Sequence, residues 1–436
     1  MFNALEQEAK IQNKHNSQQK VLSVSPQTLH PYKQNARKHS TKQVKQIAAS
    51  IEEFGFTNPI LIDQQNNILA GHGRVEAAKF LGLEKVPCLH VEHLSEEQKR
   101  AYILADNKIA LNATWDEDLL SEELKALSEI DLGFDIETTG FSVAEIDLLI
   151  EDSVPEEDNA PEDNALPRDI EKRVLPGDLW QLGNHCLICG DSLDAYTIDY
   201  LMDGKNARMV FTDPPYNVKI DGHVGGKGNI KHKEFAFASG EMNQTEFTDF
   251  LKRTFENLTC HSMDGSIHFI CMDWRHMREV MDAADGVYSE LKNLITWVKD
   301  NGGMGTFYRS RHELIFAYKY GKTEHINSFE LGQHGRYRTN VWEYRGASLE
   351  ELKMHPTVKP VQMIADAIKD VSGRNDIVLD LFGGSGSTLI AAEKTGRHAR
   401  LCEIDPNYCD IILTRWERYA KDDAVLLERH ENEENK

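Results

Sequence analysis

The stretch DIVLDLFGGSGSTLIAAEKTG, residues 376–396, constrains the fold of this chain more than any other part of it. A short apolar run typical of a buried strand passes through a glycine-rich turn into an alanine-rich run typical of a helix. From about residue 174 to residue 421, strand-like and helix-like segments alternate in the same way. Such alternation predicts an α/β domain with a doubly wound, mostly parallel sheet.

The glycine turn also predicts a ligand. It is not a Walker phosphate loop, since it lacks G-x-x-x-x-G-K-[ST], and its spacing is not G-x-G-x-x-G. The next predicted strand ends on Glu403, about 17 residues after Gly386, where an acid can bind both hydroxyls of a ribose. An acid beside a proline could instead be only a helix cap. A turn without a phosphate-binding lysine, paired with a ribose acid, favours a nucleoside without a phosphate chain, such as S-adenosylmethionine.

A second strand ends in an unusual way, in MVFTDPPYNV. The apolar residues run into Asp213, Pro214, Pro215 and Tyr216. Two consecutive prolines fix φ at both positions and remove two N–H donors, so the nearby carbonyls and side chains are held in place. Taken alone, the motif could also be a rigid turn between a strand and a loop.

The charge of the chain is distributed unevenly. The net charge is −22, but between Asp116 and Asp163 there are 18 acids and one base, Lys125. The whole-chain charge therefore does not exclude nucleic acid as a partner of the other segments. The end of this acidic stretch, EDSVPEEDNAPEDNALP, has no hydrophobic period and predicts a linker.

The composition favours a cytoplasmic protein without a membrane segment. Hydrophobic residues make up 40% of the chain, but no apolar run approaches the roughly 18 residues of a membrane span. The N-terminal residues lack the apolar region of a signal peptide. Seven cysteines without framework spacing are expected to be reduced thiols. The lone C-x2-C of Cys186 and Cys189 is interpreted as two strand cysteines, and no metal site is expected.

The first part of the chain predicts a separate, compact α/β unit of about 80 residues. It contains AGHGR, formed by Ala70, Gly71, His72, Gly73 and Arg74. Glycines at a strand-to-helix junction expose N–H groups at a helix start, and the arginine adds a fixed charge, which suits a phosphate. An ordinary glycine turn with a surface arginine fits this pattern equally well.

This part of the chain resembles a known family. NPILIDQQNNILAGHGRVEAAKFLGLEKVPCLHV, followed by LADNKIAL, is similar to the N-terminal domain of the ParB/sulfiredoxin superfamily over about residues 21–112. The resemblance implies that Gly71, His72, Gly73 and Arg74 bind the phosphates of a nucleotide. His72 stands where the family usually has an acidic residue, so phosphate binding is expected here rather than hydrolysis.

The second part resembles another family. TDPPYN, HPTVKPVQM, DLFGGSGST and CEIDPNY occur in this order, which is similar to the beta class of amino-directed (N6-adenine or N4-cytosine) DNA methyltransferases with a Rossmann-like sheet. The resemblance implies S-adenosylmethionine as cofactor and double-stranded DNA as substrate. Asp191 would face the cofactor's adenine, Glu403 its ribose, and Thr357 and Lys359 its carboxylate. The glycine turn would line its methionine end through Asp380, Phe382, Gly383, Gly384, Ser385, Gly386, Ser387 and Thr388.

The same resemblance assigns the chemistry to the proline turn. Asp213 and the carbonyl of Pro214 would accept hydrogen bonds from the amino group of a flipped-out base, and Tyr216 would stack on that base. DPPY favours adenine N6, and cytosine N4 is the alternative. A different alternative is a nucleotide-switched, ParB-like DNA-binding protein with a non-catalytic methylase half. The basic residues predicted to contact DNA are Lys227, Lys231, Lys233, Arg309, Arg311, Arg336, Arg338 and Arg345.

The predicted organisation has five parts. Residues 1–20 form a tail, 21–112 the ParB-like domain, 113–170 an acidic helical segment with the linker, 171–421 the methyltransferase domain and 422–436 a charged tail. Nothing in the sequence resembles a restriction nuclease, which favours an orphan or phage-type methylase in a bacterial or phage-infected cell. Both a monomer and a homodimer fit the sequence.

Overall fold

The computed structural model divides the chain into two compact units, Met1–Ser153 and Val154–Lys436. Each unit is described by itself. The structure describes residues 20–33, 35, 37–128, 130, 132–152, 166–167, 169–217, 241–300, 308–329, 338–345 and 358–429.

The first unit is built on a four-stranded sheet in the order β1-β4-β2-β3, with β2 and β4 parallel and the other pairs antiparallel. Leu29, Ile60, Val75 and Cys88 are among the buried residues of its core. Its strands are β1 (Val21–Val24), β2 (Ile60–Ile62), β3 (Ile68–Ala70) and β4 (Val86–His90), and its first helices are α1 (Thr41–Phe54), α2 (His72–Phe80) and α3 (Glu96–Ile109).

Side-chain caps begin two helices of this unit where the sequence predicts them, with Ser40 or Thr41 before the first helix and the capping-box pair Ser95 and Gln98 before the third. Ser40 accepts a hydrogen bond from the Gln43 amide at the start of α1, and Gly55, with φ of 75°, ends that helix. Ser95 and Gln98 form a reciprocal capping box at the start of α3. Each cap satisfies N–H groups that the first helical turn leaves without a partner.

The acidic segment contains two packed helices. They are α4 (Glu117–Ser128) and α5 (Val143–Asp152), with a short 3-10 turn, Ile136–Thr139, between them. Leu124, Ile146 and Ile150 are buried together. The two helices therefore share a small apolar core, and Asp147 of α5 is itself buried, at 2% exposed.

The second unit is a ten-stranded sheet in the order β11-β9-β10-β8-β7-β12-β13-β6-β5-β14. Five central strands are parallel to one another, namely β8, β7, β12, β13 and β6. This confirms the predicted doubly wound, mostly parallel sheet. The strands are β5 (Asp178–Leu182), β6 (His185–Cys189), β7 (Ala207–Thr212), β8 (Ser262–Met272), β9 (Glu290–Val298), β10 (His312–Lys319), β11 (Val341–Glu343), β12 (Ile377–Asp380), β13 (His398–Glu403) and β14 (Val425–Arg429).

Helices cover both faces of this sheet. Successive strand residues point to opposite faces, so in β7 Phe211 belongs to one buried cluster and Val210 to the other. The first cluster is completed by α9 (Val361–Val371), α10 (Ser387–Thr395) and α11 (Pro406–Ala420). The second is completed by α6 (Ala195–Met202), α7 (Gln244–Cys260) and α8 (Met277–Ala284).

Two smaller expectations concern cysteines and membranes. All seven cysteines are free thiols, and Cys186 and Cys189 lie on β6, as interpreted from the sequence. Among the described residues, no helix is both long and apolar enough to cross a membrane.

Candidate active site

Four neighbouring parallel strands of the large sheet carry an acid at or just beyond their carboxyl ends. In the order β7-β12-β13-β6 these acids are Asp213, Asp380, Glu403 and Asp191. Carboxyl ends of parallel strands meet at one edge of the sheet, which is where open α/β sheets bind ligands. The structure thus brings together at one edge four acids that lie up to 212 positions apart in sequence.

The glycine turn lies at the same edge, between β12 and α10. Gly384 and Gly386 have φ of 52° and 81°, in the left-handed region that disfavours side chains. A Cβ on Gly386 would lie 3.2 Å from Cγ1 of Ile412, and one on Gly383 would lie 3.2 Å from Cδ1 of the same residue. The turn is therefore packed closely against α11.

Asp380 links the glycine turn to the end of β7. It is only 3% exposed, and it accepts hydrogen bonds from Thr212 Oγ1 at 2.8 Å, Thr388 Oγ1 at 2.7 Å and the Phe382 amide at 3.1 Å. Burial raises the pKa of Asp380 to about 7, against the opposing effect of these three donors. The sequence did not single out Thr212, whose hydroxyl links the end of β7 to this carboxylate.

Glu403 lies against the glycine turn. Its Oε2 accepts a hydrogen bond from the Gly384 amide at 2.8 Å and its Oε1 one from the Asp405 amide at 2.9 Å. Burial raises the pKa of Glu403 to about 7. The N-cap of α11 is Asp405, which accepts from the Asn407 amide, so Glu403 is not simply the helix cap that the sequence left as an alternative. Each carboxylate oxygen keeps a further lone pair for a ligand hydroxyl.

Asp191 follows β6 by two residues and is half-buried. Its Oδ1 accepts a hydrogen bond from the Leu193 amide at 2.9 Å, which fixes the loop before α6. The predicted contact with a cofactor adenine stays a prediction.

The proline turn holds its aspartate and tyrosine against one lysine. Tyr216 donates a hydrogen bond from its hydroxyl to Asp213 Oδ1 at 2.5 Å, and Lys359 Nζ lies 2.5 Å from Asp213 Oδ2. Burial and the Asp213 carboxylate raise the pKa of Tyr216 well above its ordinary value. Pro214 is buried and Pro215 half-buried. The structure thus brings Asp213 and Tyr216 together, and the predicted stacking of Tyr216 on a base stays a prediction.

Lys359 lies among protein carboxylates. The lysine is 5% exposed, and its ammonium group contacts Asp213 and also Glu313 Oε2, at 3.2 Å. Burial alone would lower the pKa of Lys359, but Asp213 and Glu313 raise it above its ordinary value. The sequence-based expectation paired Lys359 with a ligand carboxylate, whereas the structure gives it two partners of its own. Its predicted companion Thr357 lies outside the described residues.

Glu313 is the main site residue that the sequence analysis missed. It is the second residue of β10, and its carboxylate contacts Lys359 and forms an ion pair with Lys299. The sequence HELIFAYK contains a signal for such a residue. Alternate residues of a strand share a face, so Glu313 lies on the same face as the buried residues Ile315 and Ala317. An acid on the apolar face of a strand indicates a buried partner of opposite charge.

The predicted DNA contacts divide into three groups. Arg309, Arg311 and Arg345 are exposed, and Arg311 donates from Nε to the Lys299 carbonyl at 3.1 Å, beside the lysine that pairs with Glu313. Arg338 is different and is treated next. The remaining candidates, Lys227, Lys231, Lys233 and Arg336, lie outside the described residues.

Arg338 is part of the interior of the second unit. Its side chain is 17% exposed, forms an ion pair with Asp370 at 3.0 Å and donates to the Tyr344 hydroxyl at 2.7 Å. Its guanidinium also lies over the ring of Trp342, 4.7 Å from the centroid. These contacts favour a structural role over the predicted contact with DNA, because the group already anchors the segment after β11 to α9.

The AGHGR turn of the first unit forms the start of α2. Gly71, with φ of 98°, is its N-cap. Arg74 Nη1 donates to the carbonyls of Asn58 at 2.5 Å and Pro59 at 3.0 Å, so this arginine fixes the loop before β2. His72 Nε2 accepts from the Tyr32 amide at 3.3 Å. The binding of nucleotide phosphates by Gly71, His72, Gly73 and Arg74 stays a prediction.

Three family models match consecutive parts of the chain. The ParB N-terminal domain matches residues 10–108, the ParB-methyltransferase HTH domain residues 118–174 and the DNA methylase family residues 207–414. The second match covers α4 and α5, in the segment that the sequence predicts only as acidic helices and a linker. The third covers the described part of the site from β7 to α11.

Individual proteins show the same two parts. The ParB-like nuclease domain-containing protein YnaK of Escherichia coli is 53% identical over 81 residues, which are 19% of this chain and 93% of that protein. The type II methyltransferase M.BglII of Bacillus subtilis is 29% identical over 290 residues, 59% of this chain and 73% of that protein. The solved PvuII DNA methyltransferase (cytosine-N4-specific) is 16% identical, covers 55% of this chain and 92% of its own, and has a TM-score of 0.41.

The three family-model matches follow the order of the motifs along the chain. The chain therefore carries a DNA methylase domain over residues 207–414, preceded by a ParB N-terminal domain and a ParB-methyltransferase HTH domain.

Proposed function

We propose that this DNA methylase transfers a methyl group from S-adenosylmethionine to the exocyclic N6 of adenine in a specific DNA sequence. The observation that carries the proposal is the position of Asp213. Its carboxylate stands at the end of β7, directly beside the strand whose glycine turn would hold the cofactor. The Thr212–Asp380 hydrogen bond of 2.8 Å joins the two strand ends. A base acceptor and a nucleoside subsite thus lie on adjacent strands.

The residues at the glycine turn fit S-adenosylmethionine. Gly383, Gly384 and Gly386 carry no side chains that could cover the backbone of the turn, and no lysine of the turn calls for a phosphate. The Glu403 carboxylate retains acceptor capacity for the two hydroxyls of a ribose. The cofactor supplies a methyl group bound to a sulfonium, which is electrophilic without a metal. Asp380, Phe382, Ser385, Ser387 and Thr388 complete this subsite, and Asp191 is assigned to the adenine.

The chain's own task is to prepare the base amino group. That nitrogen is a poor nucleophile because its lone pair is delocalised into the ring. Asp213 and the Pro214 carbonyl accept hydrogen bonds from its two N–H groups and favour the pyramidal nitrogen that develops as the C–S bond of the methyl group breaks and the new C–N bond forms, a preorganised electrostatic effect. The extra proton on the methylated nitrogen is then released to water. The prolines hold both acceptors before the base arrives. The base must leave the duplex to reach this edge of the sheet, and Tyr216 lies beside Asp213 to receive it.

An assay of methyl transfer separates this proposal from its alternatives. The full chain is incubated with radiolabelled S-adenosylmethionine and mixed-sequence double-stranded DNA, and the DNA is digested to nucleosides. Label in N6-methyladenine is the expected result. Label in N4-methylcytosine would show that cytosine rather than adenine is the target base, an alternative that the family match does not exclude. Absence of transfer to any DNA would favour the nucleotide-switched binding protein.

The raised pKa of Glu403 gives a pH-dependent prediction. The ionised carboxylate, which only accepts hydrogen bonds, is the form that binds ribose hydroxyls, and burial raises the pKa of this group to about 7. Between pH 8 and pH 6 we therefore expect the Kd for S-adenosylmethionine to rise about tenfold, measured by isothermal titration calorimetry. The Glu403→Gln variant should bind more weakly and show a smaller pH dependence. What remains in this variant belongs to Asp380, whose pKa is also raised to about 7 by burial, and to the ligand itself. Binding of S-adenosylmethionine by Glu403→Gln as tight as that by wild type at pH 8 would remove Glu403 from the ribose subsite.

A further inference from the structure

Four charged side chains form a continuous chain of ion pairs next to the base-acceptor residue. Its order is Asp213, Lys359, Glu313 and Lys299, and we call it the acid–lysine chain. Lys359 lies 2.5 Å from Asp213 and 3.2 Å from Glu313, and Glu313 contacts Lys299 in turn. The side chains of the two acids and Lys359 are 5–18% exposed, whereas that of Lys299 is 30% exposed.

The acid–lysine chain limits how well Asp213 can accept a hydrogen bond from a base. In this arrangement its Oδ2 faces the Lys359 ammonium and its Oδ1 faces the Tyr216 hydroxyl. A carboxylate whose charge is neutralised by an ammonium group at 2.5 Å accepts a further hydrogen bond weakly, since the acceptor's strength comes from its charge. Asp213 can accept a strong hydrogen bond from the amino group of the base only when the Lys359 ammonium is shared with another acid.

Glu313 is placed to be that second acid. Burial alone would raise the pKa of Glu313, but Lys359 and Lys299 together lower it below its ordinary value, so the group stays ionised. Its backbone is fixed in β10, where it is paired with Trp297 of β9. The Lys299 ammonium lies over the Trp297 ring, 4.7 Å from the centroid. This contact holds the Lys299 end of the acid–lysine chain in place.

We propose that Glu313 is a positioning residue for methyl transfer. It attracts the Lys359 ammonium away from Asp213, so that the Asp213 carboxylate can accept a hydrogen bond from the amino group of the base. Lys299 keeps Glu313 charged for this task. Glu313 itself does not touch the base or the methyl donor. This role rests on the proposed function, because it presupposes that Asp213 binds the amino group.

Two substitutions at Glu313 separate charge from packing. Glu313→Gln keeps the size of the side chain and removes its charge, whereas Glu313→Asp keeps the charge and leaves a gap. We expect the single-turnover rate of methyl transfer to fall about 10- to 100-fold in Glu313→Gln, with the Kd values for cofactor and DNA within about twofold of wild type. Glu313→Asp should be at least about fivefold faster than Glu313→Gln, although it packs less well.

The order of these two rates decides the question. If the neutral variant is as fast as the charged one, or faster, Glu313 acts only through packing and the proposal is wrong. The matched control is Glu290→Gln on the neighbouring strand β9, where the carboxylate pairs with Lys292 at the surface, 53% exposed. Its rate should equal that of wild type. Wild-type protein that transfers no methyl group would contradict the proposed function instead.

A measurement without cofactor or DNA tests the same step independently. The ammonium group of Lys359 is buried and held in two ion pairs. We therefore expect its protons to exchange slowly enough for side-chain ¹⁵N NMR, with Lys359→Met used for assignment. We expect its resonance to shift in Glu313→Gln, where Asp213 becomes the only carboxylate partner, and to stay unchanged in Glu290→Gln. An unshifted Lys359 resonance in Glu313→Gln would show that Glu313 does not position this lysine.

Discussion

Asp213→Ala is expected to lower the rate of methyl transfer by at least about 10³-fold while the chain keeps its fold and its affinity for S-adenosylmethionine. The substitution removes the group that we propose as the acceptor localising the lone pair of the base nitrogen. It also leaves the ammonium group of Lys359, which is 5% exposed, with Glu313 as its remaining carboxylate partner. Single-turnover transfer of label to DNA measures the rate, and calorimetry measures cofactor binding.

The control for this experiment is Asp199→Ala, which removes another aspartate of the same unit. Asp199 forms an ion pair with His261 at 2.8 Å, its side chain is 73% exposed, and it lies in α6 away from the carboxyl edge of the sheet. Its rate should stay within about twofold of wild type, since isolated surface pairs contribute little. If Asp213→Ala retained more than a tenth of the wild-type rate, Asp213 could not be the main acceptor for the amino group.

Gly386→Val is expected to weaken binding of S-adenosylmethionine by at least about 100-fold, which corresponds to roughly 3 kcal/mol. With φ of 81° the backbone is strained for any β-branched residue. The new side chain would also meet Ile412 of α11, since even a Cβ would lie 3.2 Å from it. Either α11 or the turn must shift, and a displaced turn no longer presents its backbone to the cofactor. Calorimetry and thermal unfolding report the two effects separately.

Gly204→Val separates backbone strain from crowding. Gly204 has φ of 71°, but a Cβ there would meet no atom within 4 Å. Both variants should lose roughly 1–2 kcal/mol of unfolding free energy from the left-handed backbone, and only Gly386→Val should lose a further 1–3 kcal/mol, roughly, from overpacking. Gly204→Val should bind the cofactor like wild type. Equal cofactor affinity in the two variants would mean that the turn does not contact the cofactor.

The sequence predicted those features that depend on neighbours along the chain. The caps at Ser40 and Ser95, the alternation of strands and helices, and the acids Asp380 and Glu403 at strand ends all follow from local patterns. A cap or a turn is formed by residues within a few positions of each other, so its chemistry can be recognised in a short window.

Glu313 was missed because its role depends on the order of strands in the sheet. β10 is antiparallel to β8, so the start of β10 lies at the same edge as the end of β8, next to the end of β7. That arrangement brings Glu313 to Lys359 and to the turn containing Asp213. No local pattern records which strand lies beside which. The same limit applies to Arg338, whose partner Asp370 is 32 positions away and was not visible as a partner in sequence.

The hydrogen bond between Thr212 and Asp380 has a consequence for how this enzyme can change during evolution. In the proposed function the acceptor of the base follows β7 and the turn for the methyl donor follows β12, and adjacent strands of a sheet lie about 4.8 Å apart. The distance between the methyl donor and the acceptor of the base is therefore set by the spacing of adjacent strands rather than by a loop. Loops around this edge can diverge to recognise new DNA sequences without altering the distance over which the methyl group travels.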